Sequence, residues 1–216
     1  MNKYIEHTLL KQNATKKELI QLFDEAKEHH FLGVCINPCN VAFASEYLKD
    51  SNVKIVTVIG FPLGASLTET KVFEAQKAIE QGADEIDMVL SVQAVKDNDY
   101  NYILNDIKAV KNAIGTKNLK VIIETDLLTP EEIINCCKVI KEAGADFAKT
   151  STGFVKNGVG AKVEDIKLMN KTLKDSNVQI KASGGIKTRE QALKLIEAGA
   201  TRLGTSSGVN LINKFL

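Results

Sequence analysis

Three ionisable residues, Asp87, Lys149 and Lys181, occur inside short runs of otherwise apolar, strand-like sequence. Successive side chains of a strand point to opposite faces, so each of the three lies on the face opposite its apolar neighbours, such as Met88 and Ile180. Buried charges cost free energy unless they are paired. If the strands form one barrel, all three side chains point into its interior. Active sites of such barrels lie near the carboxyl ends of their strands, so two lysines and an aspartate in this interior point to catalysis.

The two lysines predict imine chemistry. Lys149 and Lys181 would lie on consecutive parallel strands, about 5 Å apart. Because two ammonium groups at this distance repel each other, we expect the pKa of one of the two to fall towards neutrality. A neutral lysine attacks a carbonyl to form an imine, and Asp87 would stabilise the remaining cation and help to move protons. The alternative is a buried Lys–Asp ion pair without catalytic consequence, which accounts for one lysine but not for two.

Glycine-rich segments follow the last two strand-like runs of the chain. Gly184 and Gly185 end the seventh run, and residues 204–208 (GTSSG) end the eighth. Glycine exposes backbone N–H groups, serine adds hydroxyl donors, and helix N-termini favour anions. Barrels often hold a phosphate group at the loops after strands seven and eight. These segments therefore predict a phosphate site.

These residues must be positioned by short β-branched runs that alternate with amphipathic helical patterns along the chain. Thr15 and Thr188 each open a capping box, and Thr129 precedes a proline at the first position of a helix. The pattern predicts eight strands, over residues 4–7, 33–37, 53–59, 85–90, 119–124, 146–150, 178–183 and 202–205.

A glycine-alanine junction recurs between helix and strand, at Gly82, Gly144 and Gly199. Glycine at the end of a helix adopts the left-handed conformation at low cost. Repeated βα units without a linker predict one α/β domain over residues 1–216, a single (β/α)8 TIM barrel. An open doubly wound sheet is the alternative, but no GxGxxG motif follows the first strand.

Charge and cysteine content restrict the partners. The 28 basic and 27 acidic residues nearly cancel, so we expect neither nucleic acid nor a membrane as a partner. We find no signal peptide and no run of about 18 apolar residues. The four cysteines are expected to be reduced thiols, and the location cytoplasmic. With only three histidines, two of them adjacent on one helix, we expect no metal.

Eight segments together resemble deoxyribose-phosphate aldolases, and they extend through nearly the whole chain. The most specific is FAKTSTGF at residues 147–154. The others are IEHTLL (5–10), VCINP (34–38), TVIGFPLG (57–64), GADEIDMV (82–89), KVIIET (120–125), KASGGIKT (181–188) and GTSSG (204–208).

The resemblance implies a function and a role for each site residue. Lys149 matches the family's Schiff-base lysine, Lys181 its proton-shuttling lysine, and Asp87 the aspartate that works with it. The family cleaves 2-deoxy-D-ribose 5-phosphate to D-glyceraldehyde 3-phosphate and acetaldehyde without a cofactor, and a homo-oligomer, dimer or tetramer, is expected. The implied phosphate site consists of Gly153, Gly184, Gly185, Gly204, Ser206 and Ser207.

Three departures from the family pattern concern the site and the end of the chain. Glu6 replaces the usual aspartate, Asp126 replaces a small residue, and the sequence ends at Leu216 without a tail that often ends in tyrosine. Glu6 and Cys35 are expected to lie near the pocket, and Cys35 to line it rather than react. Two other functions stay open: another Schiff-base aldolase or transaldolase acting on a phosphosugar, and a phosphosugar-binding barrel without catalysis.

Overall fold

A computed structural model describes residues 1–212 and contains a closed barrel of eight parallel strands in chain order. The predicted (β/α)8 barrel is confirmed. Leu216 and the end of the predicted domain lie outside the described residues. The strands are β1 Ile5–Leu9, β2 Gly33–Ile36, β3 Lys54–Ile59, β4 Glu85–Val89, β5 Asn118–Ile122, β6 Phe147–Lys149, β7 Gln179–Ser183 and β8 Arg202–Thr205.

Helices follow the strands and surround the barrel. They are α1 Lys16–Glu28, α2 Val41–Leu48, α3 Thr68–Glu80, α4 Val92–Lys96, α5 Tyr100–Ile114, α6 Pro130–Ala143, α7 Val163–Leu173, α8 Arg189–Glu197 and α9 Gly208–Ile212. Short 3-10 turns lie at Asn2–Tyr4, Pro38–Asn40 and Thr125–Leu127. Within residues 1–212, no helix is both long and apolar enough to cross a membrane.

The strand boundaries differ from the predicted ones by at most two residues, and those of β8 coincide with the prediction. β1 begins one residue later than predicted, because Tyr4 belongs to a 3-10 turn in which its N–H donates to the Met1 carbonyl. The strand also ends two residues later than predicted. Thr8 and Leu9 instead continue the strand, paired with Cys35 and Ile36 of β2. This extension carries β1 towards the end of the barrel at which the predicted site lies.

Threonine caps fix three helix starts, as the sequence predicts. The hydroxyl oxygens of Thr15, Thr129 and Thr188 each accept a hydrogen bond from the backbone N–H three residues further on. The side chain of that third residue accepts from the N–H of the threonine in return, so all three are complete capping boxes. The helices that follow β1, β5 and β7 therefore begin at defined residues.

The three glycine-alanine junctions do not have one common cause. Gly144 is left-handed at the end of α6, with φ of +75° and ψ of +23°. Gly82 and Gly199 have φ of +107° and +122° and also approach a neighbouring helix. An added Cβ would lie 2.3 Å from Ser45 Oγ at Gly82 and 2.5 Å from Asn170 Nδ2 at Gly199. At these two junctions, close packing as well as backbone conformation requires glycine.

The two faces of the sheet have different cores. Residues such as Ile86 and Met88 point outwards and are fully buried under the helices. The interior of the barrel contains a small apolar group on the β1–β3 side, consisting of Leu10, Cys35, Val56 and Val58. Charged side chains from β1 and from β4 to β8, together with Phe147, occupy much of the rest of the interior, and the charged ones form the candidate site.

Candidate active site

Seven charged side chains from six strands meet in the interior of the barrel. The strand register places Lys149 opposite Lys181 and Asp87 opposite Lys120. Each of the seven residues is buried, with at most 8% of its surface exposed. We call this group the charge cluster; it consists of Glu6, Glu85, Asp87, Lys120, Lys149, Lys181 and Arg202.

Asp87 is the centre of the charge cluster. One carboxylate oxygen accepts from Lys149 Nζ at 2.7 Å and from Lys181 Nζ at 2.6 Å, and the other accepts from Lys120 Nζ at 2.9 Å. Burial alone would raise the pKa of Asp87, but Lys120 and the other two ammonium groups hold this pKa well below 3.8. Asp87 is therefore an anion shared by three lysines.

Lys181 is held as a cation by two carboxylates. It donates to Asp87 and also to Glu6. Burial alone would lower the pKa of Lys181, but the charges of Asp87 and Glu6 raise this pKa instead. The expected fall in the pKa of one of the two lysines therefore does not occur at Lys181. The physical reason is that two carboxylates lie against its ammonium group, which the lysine spacing alone does not reveal.

The charge cluster carries one excess positive charge. Three carboxylates face three lysines and one arginine, so loss of one lysine proton leaves the group neutral. Lys120 has three carboxylates within 4 Å, and Lys181 has two. Lys149 has Asp87 alone among the described residues. Of the three lysines, Lys149 therefore has the fewest carboxylates within 4 Å.

Lys149 is also the member of the charge cluster that lines a cavity. A cavity of about 330 Å³ lies at the carboxyl ends of the strands and includes Lys149 in its wall. Five of the six predicted phosphate residues line the same cavity: Gly153, Gly184, Gly185, Gly204 and Ser206. Ser207 instead borders a neighbouring hollow beside His7 and Glu25, and its backbone N–H donates to Thr205 Oγ1 at 2.9 Å.

Two lysines that were not predicted also line the cavity. Lys187 follows the Gly184-Gly185 pair, and Lys11 follows β1. Both can attract an anion to this wall by charge, whereas glycine N–H groups and serine hydroxyls bind it by hydrogen bonds. The position of Lys187 two residues after a glycine pair was a usable sequence signal for it.

Glu6 and Cys35, predicted to lie near the pocket, are placed deeper than that. Both are buried and neither lines the cavity. Glu6 accepts from Lys181 and, at 2.8 Å, from Arg202, because it is the second residue of β1 rather than its last. Burial raises the pKa of the Cys35 thiol, so this sulfur is a poor nucleophile.

One group of side chains has the composition of a metal site. Possible ligand atoms of Glu6, Cys35 and Asp87 lie within 4.8 Å of one another. Both carboxylates already accept hydrogen bonds from Lys181, and Asp87 also accepts from Lys149 and Lys120. A divalent cation at this position would have to compete with these ammonium groups, so the donor set fits a metal poorly.

Sequence reasoning did not single out Lys120 or Arg202. Lys120 donates to Asp87 and lies 2.6 Å from Glu85, while Arg202 donates to Glu6 and Glu85. The alternation rule could have found both, because each occupies an inward position of its strand. The pairing of their charges with particular carboxylates depends on the stagger of the strands and was not available from the sequence.

Asp126, the second departure from the family pattern, does not line the cavity. It lies in the 3-10 turn after β5 and accepts a hydrogen bond from Gly160 N at 2.7 Å. Lys162 Nζ lies 3.1 Å from its other oxygen. Lys162 thus neutralises the charge that Asp126 adds near β5. Through the hydrogen bond from Gly160 N, Asp126 also binds the loop that follows Lys149.

Comparisons with known proteins agree on the family. The model of the DeoC/LacD family aldolases matches residues 1–214. The deoxyribose-phosphate aldolase of Mycoplasma capricolum is 55% identical over 214 residues, which are 99% of this chain and 95% of that protein. The one from Lactococcus lactis is 54% identical, with 98% and 95% covered.

Solved structures extend the same similarity to three dimensions. The tetrameric deoxyribose phosphate aldolase from Aeropyrum pernix superposes with a TM-score of 0.87 at 31% identity, covering 97% of this chain and 88% of that one. An aldolase named QR15 superposes with a TM-score of 0.92 at 40% identity, covering 97% and 93%.

Proposed function

The chain belongs to the DeoC/LacD family of aldolases, and from that premise we propose that it cleaves 2-deoxy-D-ribose 5-phosphate reversibly through an imine on Lys149. The products are D-glyceraldehyde 3-phosphate and acetaldehyde. The observation that carries the proposal is the position of Lys149, which lines the cavity while Asp87 and Lys181 lie directly behind it. The reaction requires no cofactor, because the imine itself accepts electrons.

The chemical steps follow from one neutral amine. Lys149 Nζ adds to the aldehyde carbon C1 of the open-chain sugar, and loss of water gives an iminium ion. The C3 hydroxyl loses its proton and the C2–C3 bond breaks, with its electron pair moving into the C1–C2 bond of an enamine. Glyceraldehyde 3-phosphate leaves. Protonation of the enamine at C2 and addition of water then release acetaldehyde and restore the amine.

Asp87 and Lys181 move the protons in this scheme. Asp87 contacts the ammonium groups of both lysines, so a proton that leaves Lys149 enters a hydrogen-bonded group with a carboxylate at its centre. Lys181, held as a cation by Asp87 and Glu6, stabilises negative charge that develops on oxygen. Neither residue forms a covalent bond with the substrate in this scheme.

We assign the substrate phosphate to the wall of the cavity that the glycine-rich segments form, which we call the phosphate wall. Gly184 and Gly185 have φ of +85° and +72°, conformations that favour glycine, and Gly153, Gly204 and Ser206 share the same wall. Backbone N–H groups and hydroxyls would bind the phosphate there. Ser207, which borders the neighbouring hollow, is assigned a lesser part.

Borohydride trapping with acetaldehyde tests the proposal. Reduction should attach a two-carbon group to Lys149 alone, and Lys149→Met should abolish the adduct. Peptide mapping that finds the adduct on Lys181 would reverse the assignment of the two lysines. Trapping with a ketose phosphate but not with acetaldehyde would favour a transaldolase. Stabilisation by deoxyribose phosphate without any adduct would favour a binding barrel that lacks catalysis.

We also infer that the chain forms a homo-oligomer, a dimer or a tetramer. The related Aeropyrum pernix structure is tetrameric. Large apolar side chains are exposed on the β3–α3 loop and α3, with Leu63 75%, Leu67 71% and Phe73 61% exposed, and such patches favour contacts between proteins. Sedimentation equilibrium should give a mass above that of one chain, and Leu67→Asp should lower it. A monomeric wild type would contradict this.

The remaining predictions concern the partners of the protein and its location in the cell. Small phosphosugars and aldehydes are the proposed partners, and neither nucleic acid nor a membrane is one. A cytoplasmic location is supported by the cysteines, because all four, including the exposed Cys39, are free thiols. Fractionation of cells followed by immunodetection would test the location.

A further inference from the structure

The connection between β5 and α6 holds the loop that follows Lys149. The connection, residues 123–129, runs beside the β6–α7 loop, residues 150–162. Thr125 N donates to the Thr150 carbonyl at 3.0 Å. Two carboxylates of the connection, Glu124 and Asp126, bind the loop at two further points. Neither carboxylate has a part in the reaction described above.

Glu124 holds the part of the loop nearest to Lys149. Its carboxylate accepts from Thr152 N at 3.0 Å and from the Thr152 hydroxyl. Thr152 Oγ1 accepts in turn from Phe154 N at 3.0 Å. Thr152 and Phe154 both line the cavity that contains Lys149. Glu124 therefore fixes the orientation of two wall residues at once.

The environment of Glu124 is unfavourable in two respects. Its φ of +59° and ψ of +64° lie in the left-handed region, which residues other than glycine rarely adopt. Burial raises the pKa of Glu124, so its ionised form is disfavoured. A residue that is unfavourable in both backbone conformation and charge points to a use other than stability.

Asp126 holds the far part of the loop against the phosphate wall. It accepts from Gly160 N at 2.7 Å. Gly160 packs so closely on Gly184 that an added Cβ would lie 2.3 Å from the Gly184 carbonyl atoms. Ala161 N donates to the Gly184 carbonyl oxygen at 3.0 Å. Asp126 thus connects to the phosphate wall through two backbone contacts.

We propose that Glu124 and Asp126 are positioning residues that fix the β6–α7 loop between the imine end and the phosphate end of the cavity. Neither residue touches the reacting atoms. The inference rests on the proposed function, because it requires a substrate with its carbonyl at Lys149 and its phosphate at Gly184.

The consequence concerns how phosphate binding helps the reaction. Binding energy from a remote group raises the rate only if it holds the reacting carbon in the correct place. With a loosened loop, the phosphate would still bind, but C1 of the sugar would no longer be directed at Lys149. Only a phosphorylated substrate should suffer, because deoxyribose without phosphate gains nothing from the phosphate wall.

Parallel kinetics with deoxyribose phosphate and unphosphorylated deoxyribose test the proposal on the full-length protein. Asp126→Ala removes the acceptor for Gly160 N. Loss of one hydrogen bond to a charged group should lower kcat/KM for the phosphorylated sugar about 10- to 150-fold. The unphosphorylated sugar should react as with wild type. Asp126→Asn keeps an acceptor oxygen and should restore most of the activity.

Glu124→Gln provides an independent variant. Its amide cannot accept from both donors of Thr152, so kcat/KM for the phosphorylated sugar should fall selectively. Because burial disfavours the ionised form of Glu124, an uncharged amide at this position should leave Tm at pH 7 equal to that of wild type or higher. A merely structural glutamate would instead lower Tm and slow both substrates together, and that result would overturn the role of Glu124.

The control is Glu131→Gln, which removes an exposed carboxylate in the first turn of α6. It should leave both substrates unaffected. Equal slowing of the two substrates in Asp126→Ala, or no selective loss in either variant, would overturn the inference. Failure of the wild type to form the acetaldehyde adduct on Lys149 would overturn the proposed function itself, so the two failures are distinguishable.

Discussion

Replacement of Asp87 by asparagine separates the catalytic from the structural consequence of a buried carboxylate. Asp87→Asn leaves three lysines within the charge cluster without their shared anion and raises its excess charge from one to two. Breaking a buried ion pair costs about 3–5 kcal/mol of unfolding free energy. For a chain of this size, that corresponds to a decrease in Tm of about 6–20 °C.

Asp106 provides a matched control on the outside of the barrel. It accepts from Lys71 Nζ at 2.6 Å, both side chains are fully buried, and the pair joins α3 to α5 away from the cavity. Asp106→Asn should therefore lower the unfolding free energy by a comparable amount, about 3–5 kcal/mol. The kcat of the folded fraction should be unchanged in Asp106→Asn and reduced about 10²- to 10⁴-fold in Asp87→Asn.

Denaturant unfolding and a coupled assay for glyceraldehyde 3-phosphate, both at pH 7, measure the two quantities. The pKa of Asp87 lies well below 3.8 in the folded state, so its stabilisation is complete above that value and is lost as the pH falls further. The stability difference between wild type and Asp87→Asn should accordingly shrink in acid. A folded Asp87→Asn enzyme with normal kcat, or an Asp106→Asn enzyme with equally reduced kcat, would refute the reasoning.

Three further predictions concern the rest of the site. Lys181→Leu should lower kcat about 10²- to 10⁴-fold while the acetaldehyde adduct on Lys149 still forms; a normal rate would show that Lys181 is only structural. Ser206→Ala should raise KM for deoxyribose phosphate about 10- to 150-fold and leave unphosphorylated deoxyribose unaffected, whereas Ser207→Ala should have a smaller effect; equal slowing of both sugars would contradict the phosphate assignment. Prolonged chelation should not change activity, and a loss that zinc restores would contradict the absence of a metal.

The barrel and the inward charges could be predicted because they depend on local rules. Capping threonines mark helix starts, and alternation within a strand decides which side chains face the interior. Those rules placed Asp87, Lys149 and Lys181 in one interior, and the structure brings them within hydrogen-bond distance. The same rules applied to β5 and β8 would have added Lys120 and Arg202.

The electrostatics of the site could not be predicted in the same way. Two neighbouring lysines indicate repulsion, but the pKa of Lys181 is raised because Asp87 and Glu6 lie against it. Which carboxylate lies beside which cation depends on the stagger of strands that are far apart in sequence. The binding of the β6–α7 loop by Glu124 and Asp126 likewise depends on loop conformations that have no periodic pattern.

Lys149 pairs with Lys181 across β6 and β7, so enzymatic activity depends on the register of these two strands. Because side chains alternate between the two faces, a shift of β7 by one residue would turn Lys181 outwards under the helices and bring Ile180 or Ala182 into its place. Such a misaligned barrel could keep its helices and most of its hydrogen bonds, and circular dichroism would hardly distinguish it from the native one. A misaligned barrel would lack activity, so the specific activity measures the fraction of molecules whose barrel has closed in the native register. Circular dichroism would not reveal that fraction.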